Sequence, residues 1–397
     1  MYLSRRGLLY GSAGVAAVSL AGCGVGGDDG PELTGFTGIS MPTDTSERWV
    51  IEGKALEDNL KGLGYDVIHH NAKDVVEDQI SQIQSMVDEG VEFLIIAAID
   101  NKSLGQVLAD AKDKGVIVIS YDRLILETPD VDYYASFNNY QVGVLQANHI
   151  IDRLGMRENP GPFNVEIFSG DLGDNNSQYF FMGGLDTFES FIYDGKIVIP
   201  SGQTEQSPTS TAGWSGDVAM ERMNTLLADF YDDLELHAVL SPYDGISRGV
   251  VQALVDADYE PGTDDFPVVT GQDAEAASIK AIKDGTGQTE TVFKDTRLLA
   301  STVTDMVEAL VGGGEPEVND LGTYDNGFKF VPSLLLDPVD VTAENYVEVI
   351  VESEYLTEEQ IDAGEALSER PRRSGVTAPS RSERGRVPSG PGRAAFA

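Results

Sequence analysis

Residues 91–100 read VEFLIIAAID and residues 111–124 read AKDKGVIVISYDRL, and these two stretches decide the fold. Each contains a continuous apolar run, at 93–97 and 116–119, without alternation of polar and apolar residues. Such runs are typical of strands that are covered on both faces of a parallel sheet. The segment between them, 103–114, has the apolar spacing of a helix. The order strand, helix, strand therefore predicts an α/β protein.

The same pattern continues along the chain in two series, the second of which starts after Asn139. Two series of alternating strands and helices predict two doubly wound, Rossmann-like lobes. The further predicted strands are 36–40, 65–69, 164–168, 196–199, 238–240, 268–270 and 289–293. The further predicted helices are 46–62, 75–89, about 175–193, 217–230, 245–257 and 274–284, and 297–311.

The composition restricts the possible function. The chain has 397 residues of which 41% are hydrophobic, enough for two domains with cores and too many for a wholly disordered chain. A single cysteine excludes an internal disulfide and a cysteine-based zinc site, and four histidines make a histidine-based metal or catalytic cluster improbable. We therefore expect no cofactor and no metal site.

The chain is strongly acidic, with 27 Lys and Arg against 66 Asp and Glu and a formal charge of −39. This charge argues against nucleic acid or an anionic membrane surface as the main partner. One interpretation is halophilic adaptation, because molar salt shortens electrostatic screening to about 3 Å. The alternative is an acidic but otherwise ordinary exported protein. Residues 363–397 run against this trend, since they are rich in Arg, Pro and Ser, and we predict that they are disordered.

Residues 1–23 have the features of an export signal. Arg5 and Arg6 precede a short apolar run, and the sequence Leu-Ala-Gly then leads to Cys23. The paired arginines resemble a twin-arginine signal, and the second element resembles the lipobox of bacterial-type lipoproteins. We expect a lipidated Cys23 that anchors the protein to the outer face of the cell membrane, with 24–32 as a flexible tether. The alternative, a buried free cysteine, fits poorly with the glycine-rich surroundings.

Polar side chains follow the predicted strands, where ligands bind in open α/β sheets. Their amides, carboxylates and cationic groups suit the hydroxyls of a neutral polyhydroxyl ligand, which both donate and accept. Trp49 or Trp214 would cover the C–H face of a sugar ring. Each residue alone could instead be a helix cap, a turn or part of the core. The other candidates at the strand ends are Arg48, Asp122, Arg123, Asn175, Asn176, Asp244, Gln272 and Lys294.

Several long stretches resemble one family, the type I periplasmic sugar-binding proteins of ABC transporters, in its xylose-binding and multiple-monosaccharide-binding branch. Besides the two opening stretches, they are 132–146 (DYYASFNNYQVGVLQ), 240–247 (LSPYDGIS), 268–275 (VVTGQDAE), 291–296 (TVFKDT) and 315–327 (EPEVNDLGTYDNG). The resemblance implies the same candidates, adds Asn139, and offers Asn175 or Asn176 as alternatives. Asn138 and the long segment 203–213 depart from the family pattern.

The resemblance also implies the domain organisation and the function. It places 33–138 with 273–322 in an N-terminal lobe and 139–272 with 323–362 in a C-terminal lobe, joined by a three-segment hinge. It implies a monomeric binding protein that closes on a monosaccharide, such as xylose, galactose, glucose or arabinose, and delivers it unchanged to an ABC permease.

Three alternatives to that function remain at this stage. The liganded protein could dock on a chemosensory or kinase receptor. Asp122 and Asp244 could form a glycosidase pair, although the sequence favours no chemistry. A transcriptional repressor is disfavoured by the export signal and by the charge. The acidic cluster at 256–265 raises a calcium site as a lesser possibility, although its spacing is not that of an EF-hand.

Overall fold

The computed structural model describes residues 33–44 and 47–365. The predicted export signal with Cys23, the predicted tether and the predicted tail from residue 366 onward lie outside the described residues. Among the residues that are described, no helix has the length and apolar character required to cross a membrane.

Strands and helices alternate through most of the described chain. The strands are β1 (Thr37–Met41), β2 (Val67–Asn71), β3 (Phe93–Ile96), β4 (Ile117–Tyr121), β5 (Tyr133–Phe137), β6 (Phe163–Ile167), β7 (Ile197–Val198), β8 (Ala238–Leu240), β9 (Val268–Val269), β10 (Glu290–Phe293), β11 (Ser333–Leu336) and β12 (Val339–Thr342). The helices are α1 (Glu47–Gly62), α2 (Val76–Glu89), α3 (Gly105–Asp113), α4 (Asn139–Arg153), α5 (Asn175–Tyr193), α6 (Gln206–Thr209), α7 (Gly216–Phe230), α8 (Asp244–Asp256), α9 (Ala276–Asp284), α10 (Thr296–Val311) and α11 (Glu358–Ala363).

The first lobe is built on a six-stranded parallel sheet in the order β11-β5-β4-β3-β1-β2. All four residues of β3 are buried, which confirms the interpretation of the opening apolar run. Helices α2 and α3 pack on one face through residues such as Ile83 and Leu108. Helices α1 and α10 cover the other face through residues such as Leu56 and Val303. The lobe is therefore doubly wound.

The second lobe has a parallel sheet in the order β7-β6-β8-β9. Isolated parallel bridges, Val269 to Gln288 and Gln272 to Val292, extend it toward β10, which pairs antiparallel with β12. Helices α4 and α5 pack on one face of this sheet, and α7 and α8 pack on the other. The two-lobed, doubly wound α/β architecture predicted from the sequence is confirmed.

The chain crosses between the lobes three times: between β5 and α4, between β10 and α10, and between β11 and β12. The predicted lobe boundaries are wrong at two of these crossings. Helix α9 and strand β10 lie with the second lobe, although 273–322 was assigned to the first. Strand β11 pairs with β5 of the first lobe, although 323–362 was assigned to the second. Long-range strand pairing decides which lobe a strand joins, and local sequence does not encode it.

Candidate ligand-binding site

A cleft of about 860 Å³ lies between the lobes, beyond the carboxyl ends of the parallel strands. This volume falls within the range of small-molecule sites, about 300–1,000 Å³. Eight of the predicted residues line it together: Arg48, Trp49, Asp122, Arg123, Asn176, Trp214, Gln272 and Lys294.

In the first lobe, helix α1 is the element that follows β1, and it carries Arg48 and Trp49 into the cleft. The guanidinium of Arg48 forms ion pairs with Asp122 and with Glu52, one helical turn along α1. The guanidinium carbons of Arg48 and Arg123 lie 4.7 and 5.2 Å from the centre of the Trp49 ring. The buried Trp49 therefore supports both arginines by cation–π contact.

Asp122 follows β4 and carries the central carboxylate of the cleft. Its backbone is in the left-handed region, with φ of 60°, which aspartate tolerates better than most residues. Burial disfavours the charged form, but Arg48 and Lys294 outweigh this effect, so the pKa lies below its ordinary value. The carboxylate is therefore ionised and acts as a hydrogen-bond acceptor.

The cationic side chains in the lining are matched by carboxylates. Arg48 pairs with Asp122, and within the described lining each remaining cation also has a partner. These pairs are Arg123 with Asp174 at 3.1 Å, Lys294 with Asp273 at 3.1 Å, Arg248 with Glu275 at 2.5 Å, and Arg297 with Asp295 at 2.8 Å. A cleft whose cations are already paired suits a neutral polar ligand better than an anion.

The second lobe contributes an aromatic wall to the cleft. The Trp214 ring lies against Gly170, where an added Cβ would come within 2.0–2.4 Å of three ring carbons. The centres of the Phe180 and Tyr243 rings lie 6.3 and 6.0 Å from that of Trp214, with interplanar angles of 67° and 86°. Such edge-to-face contacts fix an aromatic ring in position and leave an apolar surface toward the cleft.

Gln272, which follows β9, carries an unsatisfied acceptor in the lining. Its Oε1 is buried and has no hydrogen-bond partner among the described residues. A buried acceptor without a donor is costly, by about 1–3 kcal/mol. A ligand hydroxyl bound in the cleft would supply the missing donor.

Three predicted site residues do not line the cleft. Asp244, the first residue of α8, points into the second lobe, where its carboxylate accepts hydrogen bonds from Gln288, Thr291 and the Glu275 backbone. Asn139 lies behind the lining and donates to the Asn176 Oδ1 at 2.8 Å. Asn175 is the first residue of α5 but is outside the lining, so of the two alternatives the structure places Asn176 there. The strand-end rule identified the right loops but not which side chain of each loop turns inward.

Further lining residues were not among the predicted site residues, and some of them are sequence neighbours of those that were. They include Asp174, Phe180, Tyr243, Arg248, Asp273 and Glu275. Asp273 follows Gln272 and Tyr243 precedes Asp244, so the signal for both was the same strand end. Phe180 and Arg248 lie inside helices, and the sequence offers no comparable signal for them.

Among the described residues, no group of three or more His, Cys, Asp or Glu side chains is placed to hold a metal ion. This includes the acidic cluster at 256–265.

Two doubly wound lobes, three crossings and a polar cleft between the lobes define the architecture of a two-lobed solute-binding protein. A family model described as a periplasmic binding protein domain matches residues 37–315, and the chain belongs to this family. The family consists of solute-binding receptors for sugar transport rather than enzymes.

Relatives with sugar-binding descriptions match most of the chain. The multiple sugar-binding periplasmic protein SbpA of Azospirillum brasilense is 47% identical over 81% of this chain and 90% of its own length. The D-xylose-binding periplasmic protein of Escherichia coli is 32% identical over 82% of this chain and 92% of its own. An ABC transporter solute-binding protein from Clostridium phytofermentans, solved with bound β-D-glucose, is 44% identical with a TM-score of 0.78, over 82% of this chain and 99% of that structure.

Proposed function

We propose that this protein is an extracytoplasmic lipoprotein that captures a neutral aldose, such as glucose, galactose, xylose or arabinose, and delivers it to an ABC importer. The pairing of the cationic side chains in the cleft with carboxylates carries the proposal, because it disfavours an anionic ligand such as a sugar acid. The sugar-binding relatives at 32–47% identity support the same ligand class.

In this proposal the hydroxyls of the sugar meet a ring of donors and acceptors. The Asp122 carboxylate and the Gln272 Oε1 accept from hydroxyls, whereas Arg48, Arg123 and Lys294 donate to them. The apolar face of the sugar ring lies against Trp214, in the way that sugars commonly meet aromatic rings. These residues come from both lobes and from the crossing after β10, so a bound sugar favours the closed arrangement. Hinge closure of this kind is the behaviour for which periplasmic binding proteins are the standard example.

The test is calorimetry with D-glucose, D-galactose, D-xylose and L-arabinose, and with D-galacturonate as a charged control. We expect at least one neutral aldose to bind with a dissociation constant in or below the micromolar range, and the uronate to bind at least about tenfold more weakly. Asp122→Ala should weaken the tightest aldose by about 100-fold, because it leaves a sugar hydroxyl and Arg48 without their partner. Absence of binding to all four aldoses in molar salt, or tighter binding of the uronate, would refute the proposal.

Lipidation and delivery are separable from sugar binding. Cys23→Ser should release the protein from the membrane fraction while the dissociation constant of the sugar stays the same. Deletion of the gene should abolish uptake of the same radiolabelled aldose. If uptake persists and only a sugar-induced transcriptional response is lost, the protein serves a sensory receptor instead of an importer.

A further inference from the structure

A buried hydrogen-bond network lies directly behind the Asp122 carboxylate. The backbone oxygen of Asp122 accepts from the Tyr134 hydroxyl at 2.8 Å, from Ser136 Oγ at 2.9 Å and from Asn176 Nδ2 at 3.0 Å. Tyr134 and Ser136 are fully buried on β5 of the first lobe, and Asn176 is 3% exposed on α5 of the second. One carbonyl therefore receives three donors from two lobes.

The backbone of Asp122 explains why such support is needed. With φ of 60° the residue is in the left-handed region, which aspartate adopts at a greater cost than glycine does. This conformation turns the side chain toward Arg48 and the cleft. Donors that hold the carbonyl therefore also determine the direction of the carboxylate.

Asn176 connects this carbonyl to the second lobe. Its Oδ1 accepts from Asn139 Nδ2 at 2.8 Å, which leaves its Nδ2 to face Asp122. The same Nδ2 lies 3.3 Å from the Asp122 carboxylate oxygen Oδ1. Asn139 begins α4 immediately after the first crossing, so the network lies at the base of the hinge. Opening the lobes would pull Asn176 away from Asp122.

We propose that Tyr134 and Ser136 are positioning residues for the sugar-binding carboxylate of Asp122, and that Asn176 couples this carboxylate to lobe closure. The inference rests on the proposed function, since it assumes that Asp122 binds the sugar. The contact from Asn176 means that the carboxylate is fully oriented only when the second lobe is in place. The contact from Tyr134 means that part of the sugar affinity depends on a hydroxyl that does not line the cleft.

The test compares two tyrosine hydroxyls that are removed in the same way. Tyr134→Phe removes a donor to Asp122. Tyr179→Phe is the matched control, because its hydroxyl also donates to a backbone carbonyl, that of Thr323 at 3.4 Å, and its ring packs on the same Tyr324. With the tightest-binding of the four aldoses, we expect Tyr134→Phe to raise the dissociation constant by about tenfold and Tyr179→Phe by less than about twofold.

A double-mutant cycle separates positioning from a general structural role. Asparagine tolerates the same backbone conformation, so Asp122→Asn removes the charge without forcing the chain to move. In the Asp122→Asn background we expect Tyr134→Phe to raise the dissociation constant by less than about twofold, because the carboxylate that the Tyr134 hydroxyl positions is gone. Ser136→Ala, with about a threefold effect expected, is a second variant in case Tyr134→Phe does not fold.

The outcomes distinguish this inference from the proposed function. If none of the four aldoses binds the unaltered protein, the proposed function is refuted and the inference falls with it. If an aldose binds and Asp122→Asn leaves its affinity unchanged, Asp122 is not the carboxylate that needs positioning and the inference is refuted alone. If Tyr134→Phe raises the dissociation constant by the same factor in the unaltered protein and in Asp122→Asn, the Tyr134 hydroxyl has a purely structural role and the inference is likewise refuted. The same holds if Tyr134→Phe has no larger effect than Tyr179→Phe.

Discussion

Substitution of Gly170 by alanine tests the aromatic wall of the cleft without touching a polar group. The added Cβ would lie 2.0 Å from Cη2 of Trp214 and within 2.4 Å of two further ring carbons. Ordinary contacts of this kind are 3.4 Å or longer, so the indole must move by more than 1 Å. It would then lose its packing against Phe180 and Tyr243 and its position in the lining.

The expected effect on affinity follows from the free energy that an aromatic contact contributes, about 0.5–1.5 kcal/mol. Loss of the upper part of this range corresponds to about a tenfold weaker binding of the sugar. Because the ring also leaves its packed position in the second lobe, we expect the free energy of unfolding of the unliganded protein to fall by about 1–3 kcal/mol.

Calorimetry measures the sugar affinity, and intrinsic fluorescence reports the ring directly. The sequence contains two tryptophans, Trp49 and Trp214, and both line the cleft, so emission should change on sugar binding and differ in the variant. Gly105→Ala is the matched control, since its nearest neighbours would be 3.9 Å away. An unchanged dissociation constant together with unchanged emission in Gly170→Ala would show that Trp214 is not a wall of the sugar site.

Three further outcomes are expected. Burial raises the pKa of Asp244 to about 8, so the stability that its neutral form contributes is fully present below about pH 4 and is lost as the pH rises through 8. Between pH 4 and 8 the free energy of unfolding should therefore fall less for Asp244→Asn than for the unaltered protein. Parallel pH profiles of the two proteins would contradict the assignment. The melting temperature should rise when KCl is increased from about 0.1 to about 1 M, because screening shortens from about 10 to about 3 Å; a melting temperature that is independent of salt would argue against halophilic adaptation. Truncation after residue 365 should leave the sugar affinity within about twofold of the full chain, and weaker binding would show that the omitted residues contribute to the site.

The sequence predicted the elements that are buried on both faces most accurately. The apolar run at 93–97 became β3, and the interval 238–240 coincided with β8. Strand β5 was not predicted, because Tyr133–Phe137 mixes tyrosine, alanine and serine and lacks a continuous aliphatic run. The lobe assignment of β10 and β11 depended on which distant strand each would pair with, and no local pattern carries that information.

The site was predictable to the level of the loop but not of the side chain. Parallel strands bring their carboxyl ends to one edge, which placed Arg48, Asp122 and Gln272 together. Whether Tyr243 or Asp244 faces the cleft is decided by the rotation of the first turn of α8. A shift of one residue along a helix turns a side chain by about 100°, and sequence spacing does not fix that rotation. The structure turns the tyrosine outward and buries the aspartate.

The order of the strands has a consequence for synthesis. The edge strand β11 of the first sheet and strand β12, which pairs with β10 of the second lobe, both come from residues after 332, close to the end of the described chain. Neither sheet can be completed while the nascent polypeptide still lacks this segment, however early the central strands emerge from the ribosome. Both halves should therefore reach their mature form together and only after this segment has been translated, so a product that stops before it would display two open sheet edges to chaperones and proteases.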